Sequence, residues 1–267
     1  MNMRSLSLAA LTVLDVSPPE QVRIAALTGY SHVGIRLLPA TPDDPDYDML
    51  GDTRTVRETL AAMRDTGIRV SDVEIVRLTP DFSLDALRPF LDTAARLEAQ
   101  QVLVAGNDDN LPRCAENLAT LAQAGEAYGL TMNLEPMPWT HLPTLASAQQ
   151  LIAASGQRNV GILVDAIHFW RAGESLEALS ALAPERLNYM QLCDAPARIP
   201  TDTQELIYQA RSARRVPGEG ELDLHGLLAA LPPTIPVSIE VPLAGAQGAL
   251  PAQQRAQLLF NAAQSFL

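Results

Sequence analysis

Four polar side chains stand at the ends of short apolar runs in the sequence, namely those of Glu135, Asp165, Gln191 and Glu240. One carboxylate at the end of a buried strand is usually a helix cap or an ion-pair partner. Four such residues, spaced by 30, 26 and 49 positions, are better explained by a common site. Carboxylates held together raise one another's pKa unless a cation neutralises them. The four residues therefore predict a divalent metal site, and their oxygen donors favour Mn²⁺ or Mg²⁺, with Zn²⁺ and Co²⁺ left open.

The elements that position these residues form a repeating pattern. Short runs rich in Val, Ile and Leu alternate with longer Ala, Leu, Arg and Glu segments, which is typical of parallel strands covered by helices. Eight strands are predicted, at 5–11, 31–37, 69–76, 101–106, 130–135, 160–165, 187–192 and 235–241. Dividing 267 residues by eight gives about 33 per unit, a suitable length for one strand, one helix and two loops. The sequence therefore predicts an α/β fold, a single-domain (β/α)8 TIM barrel over residues 1–267.

Local signals mark some of the helix boundaries. Gly29 is predicted to end the first helix, and Asp52, Ser83 and Asp223 are predicted to cap later ones. The apolar run at 6–14 lacks the basic flank of a signal peptide, so we interpret it as the first strand.

Two stretches interrupt the repeat. Residues 38–51 contain four acidic residues and three prolines, and residues 195–220 are too long for an ordinary loop. Both follow predicted strands, and a barrel carries its active site on the loops after its strands. We expect both to be lids, the second as a lid-like insertion at about 195–220.

Composition excludes several classes of function. The chain has no lysine, which rules out a lysine Schiff base and the lysine of a Walker loop. A formal charge of −12 makes nucleic acid and anionic membranes poor partners. Cys114 and Cys193 are too few for a disulfide framework, so a cytoplasmic location is expected. A small-molecule substrate is the expected partner, and a homo-oligomer is left open.

Five short motifs contain or follow the four strand-end residues: NLEP at 133–136, DAIH at 165–168, QLCDAPAR at 191–198, PGEGELD at 217–223 and SIE at 238–240. Over nearly the whole chain the sequence resembles the xylose-isomerase-like barrel superfamily, which includes sugar epimerases, inosose dehydratases, hydroxypyruvate isomerases and endonuclease IV. The resemblance implies that the Glu, Asp, Gln and Glu of these motifs bind the metal. The glutamine, with the Asp, Pro and Arg that follow it, is most similar to hydroxypyruvate isomerases, whereas epimerases commonly have His there.

The chemistry that the resemblance implies is proton transfer at a carbon next to a carbonyl. A metal acts as a Lewis acid there and stabilises the enediolate that forms when the proton leaves. Glu135 and Glu240 come from non-adjacent strands and are the predicted catalytic base and acid.

Five further residues are candidates for substrate binding: His168, Arg198, Glu74, Trp139 and Asn107. His168 would bond a substrate hydroxyl, and Arg198 would hold a carboxylate or phosphate, although a packed histidine and a solvated arginine are the alternatives. Glu74 either points into the barrel or forms an ion pair with an arginine of the second strand. Trp139 would lie in the wall of the pocket, and Asn107, at the end of the fourth strand, is a hydrogen-bonding candidate.

We therefore expect a metal-dependent isomerase or epimerase of a small hydroxy-carbonyl compound, such as a sugar, sugar acid or hydroxy-ketoacid of carbohydrate metabolism. A dehydratase or lyase shares the first step and remains an alternative. A non-catalytic metabolite-binding barrel is the alternative of a different class. A nuclease is disfavoured, because the chain has only four histidines and a charge of −12.

Overall fold

Residues 4–267 are described by a computed structural model of the chain. They form a closed barrel of eight parallel strands that follow one another in chain order. The strands are β1 (Leu6–Leu8), β2 (His32–Arg36), β3 (Arg69–Leu78), β4 (Gln101–Gly106), β5 (Thr131–Leu134), β6 (Val160–Asp165), β7 (Leu187–Leu192) and β8 (Val237–Ile239). The predicted single-domain (β/α)8 barrel is confirmed, and every strand overlaps its predicted segment, with β3 running two residues past the predicted end at 76.

The same residues contain eleven α helices, most of which cover the outside of the barrel. They are α1 (Pro18–Thr28), α2 (Arg54–Thr66), α3 (Leu84–Arg96), α4 (Leu111–Glu126), α5 (Leu145–Ser155), α6 (Ala166–Arg171), α7 (Leu176–Ser180), α8 (Thr203–Ser212), α9 (Leu224–Ala230), α10 (Gly245–Gly248) and α11 (Ala252–Gln264). Within the described part of the chain, none of them combines the length and the apolar character that a membrane crossing requires.

Most of the predicted helix boundaries are confirmed. Gly29 ends α1 with a left-handed backbone at φ 93°, and the side chains of Ser83 and Asp223 cap α3 and α9. The predicted cap at Asp52 is wrong by one residue. The hydroxyl of Thr53 accepts the hydrogen bond at the start of α2, while Asp52 forms exposed ion pairs with arginines.

The first predicted strand, 5–11, is too long. β1 ends at Leu8, and Ala10–Val13 form a 3₁₀ helix. The hydroxyl of Thr12 donates to the carbonyl of Ile239 and accepts from the amide of Val241, at 2.8 and 2.9 Å. This pair of bonds ties the turn to the end of β8. The run is apolar because it packs in the core, so its composition did not distinguish a strand from a tight helix.

The apolar core has two parts. The larger part lies between the strands and the surrounding helices. A smaller cluster inside the barrel consists of Ile75, Leu103, Ala105, Met137, Leu163 and Tyr189. Side chains thus fill the barrel interior, and polar groups lie with them at the carboxyl ends of the strands.

An irregularity in β3 changes the direction of its side chains. The register with β4 shifts between Val73 and Val76. Successive strand residues normally face opposite sides, yet Glu74 and Ile75 both line the central cleft. The local shift in register accounts for this exception.

The long segment 195–220 contains α8 and is attached to the barrel after that helix. Arg215 pairs with Asp194 in an antiparallel bridge, and Arg214 pairs with Leu243. The carboxylate of Asp194 also accepts hydrogen bonds from the amides of Gly218 and Gly220, at 2.9 and 3.0 Å. The residues after α8 are therefore fixed against the ends of β7 and β8.

Candidate active site

A cleft of about 480 Å³ opens at the carboxyl ends of the strands. Its apolar wall includes Leu103, Met137 and Trp139. Its charged and polar wall consists of Arg36, Glu74, Arg77, Glu135, His168, Arg211, Arg214 and Glu240. Since acidic and basic groups lie beside this apolar wall, the cleft has the character of a small-molecule site.

The four predicted metal-binding residues come together at this end of the barrel. We call Glu135, Asp165, Gln191 and Glu240 the ligand cluster. All four are buried, with at most 4% of each residue exposed. The side-chain amide of Gln191 donates to Glu240 Oε1 at 2.9 Å, which leaves Gln191 Oε1 buried and without a hydrogen-bond partner among residues 4–267.

Asp165 shows how the local sequence builds the site. It ends β6 and is also the N-cap of α6, where Oδ1 accepts from the amides of Ile167 and His168 at 2.8 and 3.2 Å. The cap turns the chain into a helix at once, and this places His168 one turn along, facing the same cleft. Asp165 is therefore both a helix cap and a member of the ligand cluster.

The donor set fits a divalent cation. Ligand atoms of Glu135, Asp165 and His168 all lie within 4.8 Å of one another. The unpartnered oxygen of Gln191 adds a buried acceptor that the protein itself leaves without a donor. Carboxylate and amide oxygens with one imidazole nitrogen suit several divalent ions, so the geometry supports a divalent metal of unspecified identity.

Arg214 is a functional residue that the sequence analysis missed. Its guanidinium donates to Asp165 Oδ2 at 2.6 Å and to Glu240 Oε2 at 2.7 Å, and only 2% of its side chain is exposed. The carbonyl of Ala210 accepts from Nε at 2.7 Å. The arginine thus contacts two members of the ligand cluster from the segment after α8. Its place three residues before the PGEG motif was the only sequence signal.

The carboxylates of the cluster differ in their affinity for protons. Burial, with repulsion from Glu240 and Asp165, raises the pKa of Glu135 well above its usual value. Burial also raises the pKa of Glu240 to about 8, although the positive charge of Arg214 opposes this. For Asp165 burial acts in the same direction, but Arg214, His168 and the hydrogen bonds outweigh it and leave the pKa below its usual value.

His168 and Trp139 both line the cleft. Their rings pack edge to face with centroids 5.0 Å apart. Burial lowers the pKa of His168 to about 4, so its ring is neutral near pH 7. Its Nε2 lies 3.7 Å from Glu135 Oε1. A neutral imidazole in this place can exchange hydrogen bonds with a substrate hydroxyl.

Both interpretations of Glu74 hold in the structure. Glu74 lines the cleft and also pairs with Arg36 of β2, with Oε2 3.4 Å from Nη2. Arg36 in turn contacts Asp44 of the 38–51 segment at 3.0 Å. The other oxygen of Glu74 is buried and has no hydrogen-bond partner within residues 4–267. It is available to a ligand in the cleft.

Two of the predicted substrate-binding residues lie elsewhere. Arg198 is exposed and lines a separate surface groove beside Pro196 and Gln209, not the central cleft. Asn107 is not part of the cleft lining, and its side-chain oxygen accepts from Arg77 at 3.2 Å. The chain leaves the barrel axis after β7, which carries Arg198 outward, and Asn107 supports a cleft residue without facing the cleft itself.

Two other arginines take the place that was expected for Arg198. Arg77 of β3 and Arg211 of α8 both line the cleft, and we call them the arginine pair. Among residues 4–267, neither has a carboxylate within ion-pair distance. Burial and the nearby charge of Arg211 lower the pKa of Arg77. Two guanidiniums that line one cleft without a direct ion pair have the chemistry to bind an anion.

Comparison with known proteins supports this description. The sequence pattern of the xylose isomerase-like TIM barrel family matches residues 22–261, which is most of the chain. The chain therefore belongs to the xylose isomerase-like TIM barrel family.

Two curated relatives are enzymes with different reactions. The 3-dehydroshikimate dehydratase of Pseudomonas putida is 26% identical over 253 residues, which cover 87% of this chain and 37% of that protein. The inosose isomerase of Bacillus velezensis is 29% identical over 119 residues, which cover 44% of this chain and 40% of that protein. This chain thus spans well under half the length of both relatives.

A solved structure shares the fold. The IolI protein with a bound zinc atom superposes with a TM-score of 0.80, at 19% identity over 98% of this chain and 97% of that chain. At this identity the likeness concerns the barrel alone.

Proposed function

We propose that this member of the xylose isomerase-like family is a metal-dependent dehydratase of a small hydroxy-carbonyl acid. The observation that carries the proposal is the arginine pair, which lines the same cleft as Glu135 and Glu240 of the ligand cluster. A metal site beside an unpaired cationic site suits a substrate with a carbonyl and a hydroxyl at one end and a carboxylate at the other. The relative that aligns with 87% of this chain is named a dehydratase of 3-dehydroshikimate, a molecule of this type.

The ligand cluster would hold the metal through Glu135, Asp165, Gln191 and Glu240, and Mn²⁺ or Mg²⁺ suits these oxygen donors best. A bound divalent ion would supply Lewis acidity at the substrate carbonyl, which makes the neighbouring C–H bond more acidic. The chain's own residues then bind the substrate and move its protons.

The arginine pair would hold the substrate carboxylate by charge-assisted hydrogen bonds. Glu135 forms no hydrogen bond within the described residues that would reduce its basicity, so it would accept the proton from the carbon next to the carbonyl. Glu240, with its raised pKa, would deliver a proton to the hydroxyl on the next carbon, which leaves as water. His168 would form a hydrogen bond with a neighbouring hydroxyl and so orient the substrate.

An isomerase or epimerase is the second candidate, because one observation favours it as well. Glu135 and Glu240 both have raised pKa values and come from strands β5 and β8, so two proton carriers are present. The same first step followed by protonation of the adjacent carbon, or of the opposite face, would give an isomer. The two reactions differ only in whether the hydroxyl leaves.

The test uses purified protein with Mn²⁺ and two substrate sets. 3-Dehydroshikimate is followed by the absorbance of its conjugated dehydration product, and inososes and ketoses are followed by NMR in deuterated water. We expect dehydration of the acid. Isomers that carry solvent deuterium, without dehydration, would favour the second candidate. Neither product nor deuterium exchange with any of these compounds would contradict both reactions.

The arginine pair is tested separately with the carboxamide of the same acid. Each charged hydrogen bond contributes about 1.5–3 kcal/mol, so Arg77→Met and Arg211→Met should each lower kcat/KM for the acid by roughly 10- to 150-fold. The two variants should have much smaller effects on the amide. Equal losses with acid and amide would show that the arginines do not bind the carboxylate.

A further inference from the structure

Arg214 is the only arginine of the cleft, within the described residues, that makes ion pairs with members of the ligand cluster. Buried guanidiniums are costly and need several good acceptors. Arg214 has them in the side chains of Asp165 and Glu240, the carbonyl of Glu240 at 3.2 Å and that of Ala210 at 2.7 Å. Its backbone amide also donates to the carbonyl of Pro242 at 3.1 Å. The positive charge is thus fixed in place by the fold.

This arrangement is not required to orient the carboxylates. Asp165 remains fixed through Oδ1 by the amides of Ile167 and His168. Glu240 remains fixed through Oε1 by the side chain of Gln191. What Arg214 alone supplies is charge. Its guanidinium binds the second oxygen of each carboxylate, and its positive charge repels any other cation that binds these carboxylates.

We propose that Arg214 is a built-in counter-cation of the ligand cluster, one that lowers its affinity for the divalent metal and keeps the metal-free protein folded. The proposal rests on the metal site of the proposed function. With all three carboxylates ionised, as they are when they bind a metal, they and the one guanidinium carry a formal charge of −2, which a single divalent ion neutralises. Without Arg214 the charge would be −3, and the three buried carboxylates would repel one another with no cation of the protein between them.

The test compares metal binding and thermal unfolding of four proteins. The variants are Arg214→Met, Arg214→Lys and, as a matched control, Arg255→Met, since Arg255 is also buried but pairs with Asp15 on another part of the barrel. Mn²⁺ affinity is measured by calorimetry, and Tm is measured with chelator and with saturating Mn²⁺.

For Arg214→Met we expect Mn²⁺ to bind at least about tenfold more tightly, because a unit charge within a few ångströms of the site is removed. Its Tm should fall in chelator and recover with Mn²⁺, because binding to the folded state offsets the lost charge. Arg214→Lys keeps the charge and should retain the affinity of the wild type. Arg255→Met should lower the Tm equally in both conditions and leave the affinity unchanged.

Four results would overturn the inference. Weaker Mn²⁺ binding in Arg214→Met would mean that the arginine acts by orientation and not by charge. A Tm loss that is equal with and without Mn²⁺, or a variant that stays unfolded in both, would make Arg214 a packing residue. Weaker binding in Arg214→Lys would show that the charge alone is insufficient. If the wild type binds no Mn²⁺, the metal site of the proposed function fails as well. The first three results leave that metal site intact, so the two failures can be distinguished.

Discussion

Asp72 makes the stability of this barrel depend on pH in a way that can be worked out from its surroundings. It lies on β3 with 2% of its surface exposed, and the hydroxyl of Ser71 donates to it. It packs so closely against Gly34 that a Cβ added there would lie 2.7 Å from Oδ2. Burial, followed by repulsion from Glu74, raises the pKa of Asp72 from 3.8 to about 7.

The direction of the effect follows from linkage. The folded protein holds the proton of Asp72 up to about pH 7, whereas the unfolded chain releases it near its ordinary value of about 3.9. The contribution to stability is fully present below the unfolded pKa and is lost as the pH rises to about 7. Between pH 5 and pH 8 the loss is about 3 kcal/mol, at 1.36 kcal/mol for each pH step below the folded pKa.

The substitution Asp72→Asn removes this proton while keeping the size of the side chain. The difference in Tm between variant and wild type should therefore rise from pH 5 to pH 8. At about 2 °C for each kcal/mol in a chain of this length, the rise is about 5 °C. Contacts that the variant loses at every pH cancel in the comparison, as do the other titrating groups of the site.

Thermal unfolding in chelator at four pH values between 5 and 8 measures this difference. Ser71→Ala is the matched control, because the hydroxyl of Ser71 holds the pKa of Asp72 down and its removal should steepen the pH dependence. A Tm difference between Asp72→Asn and wild type that stays constant across these pH values would refute the reasoning.

Three further outcomes are expected at the cleft. Asp165→Ala should abolish Mn²⁺ binding and Gln191→Ala should weaken it less, because a neutral amide attracts a cation less than a carboxylate; full occupancy of both variants under limiting metal would contradict the ligand assignment. Glu135→Gln and Glu240→Gln should each lower kcat by roughly 10²- to 10⁴-fold, and the variant that still exchanges the substrate α-proton with deuterium lacks the group for the second step. Arg198→Met should leave KM within about twofold of wild type in steady-state assays, because the side chain is exposed outside the cleft, whereas a large rise would restore its predicted role.

The parts of the site that the sequence predicted are those encoded locally. Parallel strands are buried on both faces, so a polar residue at the end of an apolar run is conspicuous. Glu135, Asp165, Gln191 and Glu240 carry that signal, and barrel closure requires strand ends to meet. Helix ends such as Gly29 are local in the same sense, because a left-handed backbone favours glycine.

The arginines that complete the cleft carry no such signal. Arg211 and Arg214 lie in a segment with four arginines, of which Arg198 and Arg215 are exposed, and only the path of the chain after β7 brings the other two to the cleft. Arg77 lies on β3, whose register with β4 shifts between Val73 and Val76. The regular alternation of strand side chains therefore could not predict that Arg77 faces the cleft. Arg198 was preferred because it follows the ligand-bearing strand directly, and proximity in sequence was the wrong guide.

The formal charges around the cleft divide into two groups that call for different partners. Near the ligand cluster, three carboxylates and Arg214 leave −2, the complement of one divalent ion. The second group is Arg36 and the arginine pair with Glu74 and Asp44, which leaves +1, the complement of one carboxylate, although Glu240 and Glu135 of the first group also act on Arg36 and Arg77. A metal and a monoanionic substrate together would neutralise both groups. Because buried charge is costly unless it is compensated, a neutral sugar would leave the second group unbalanced, which supports the proposal of an acidic substrate.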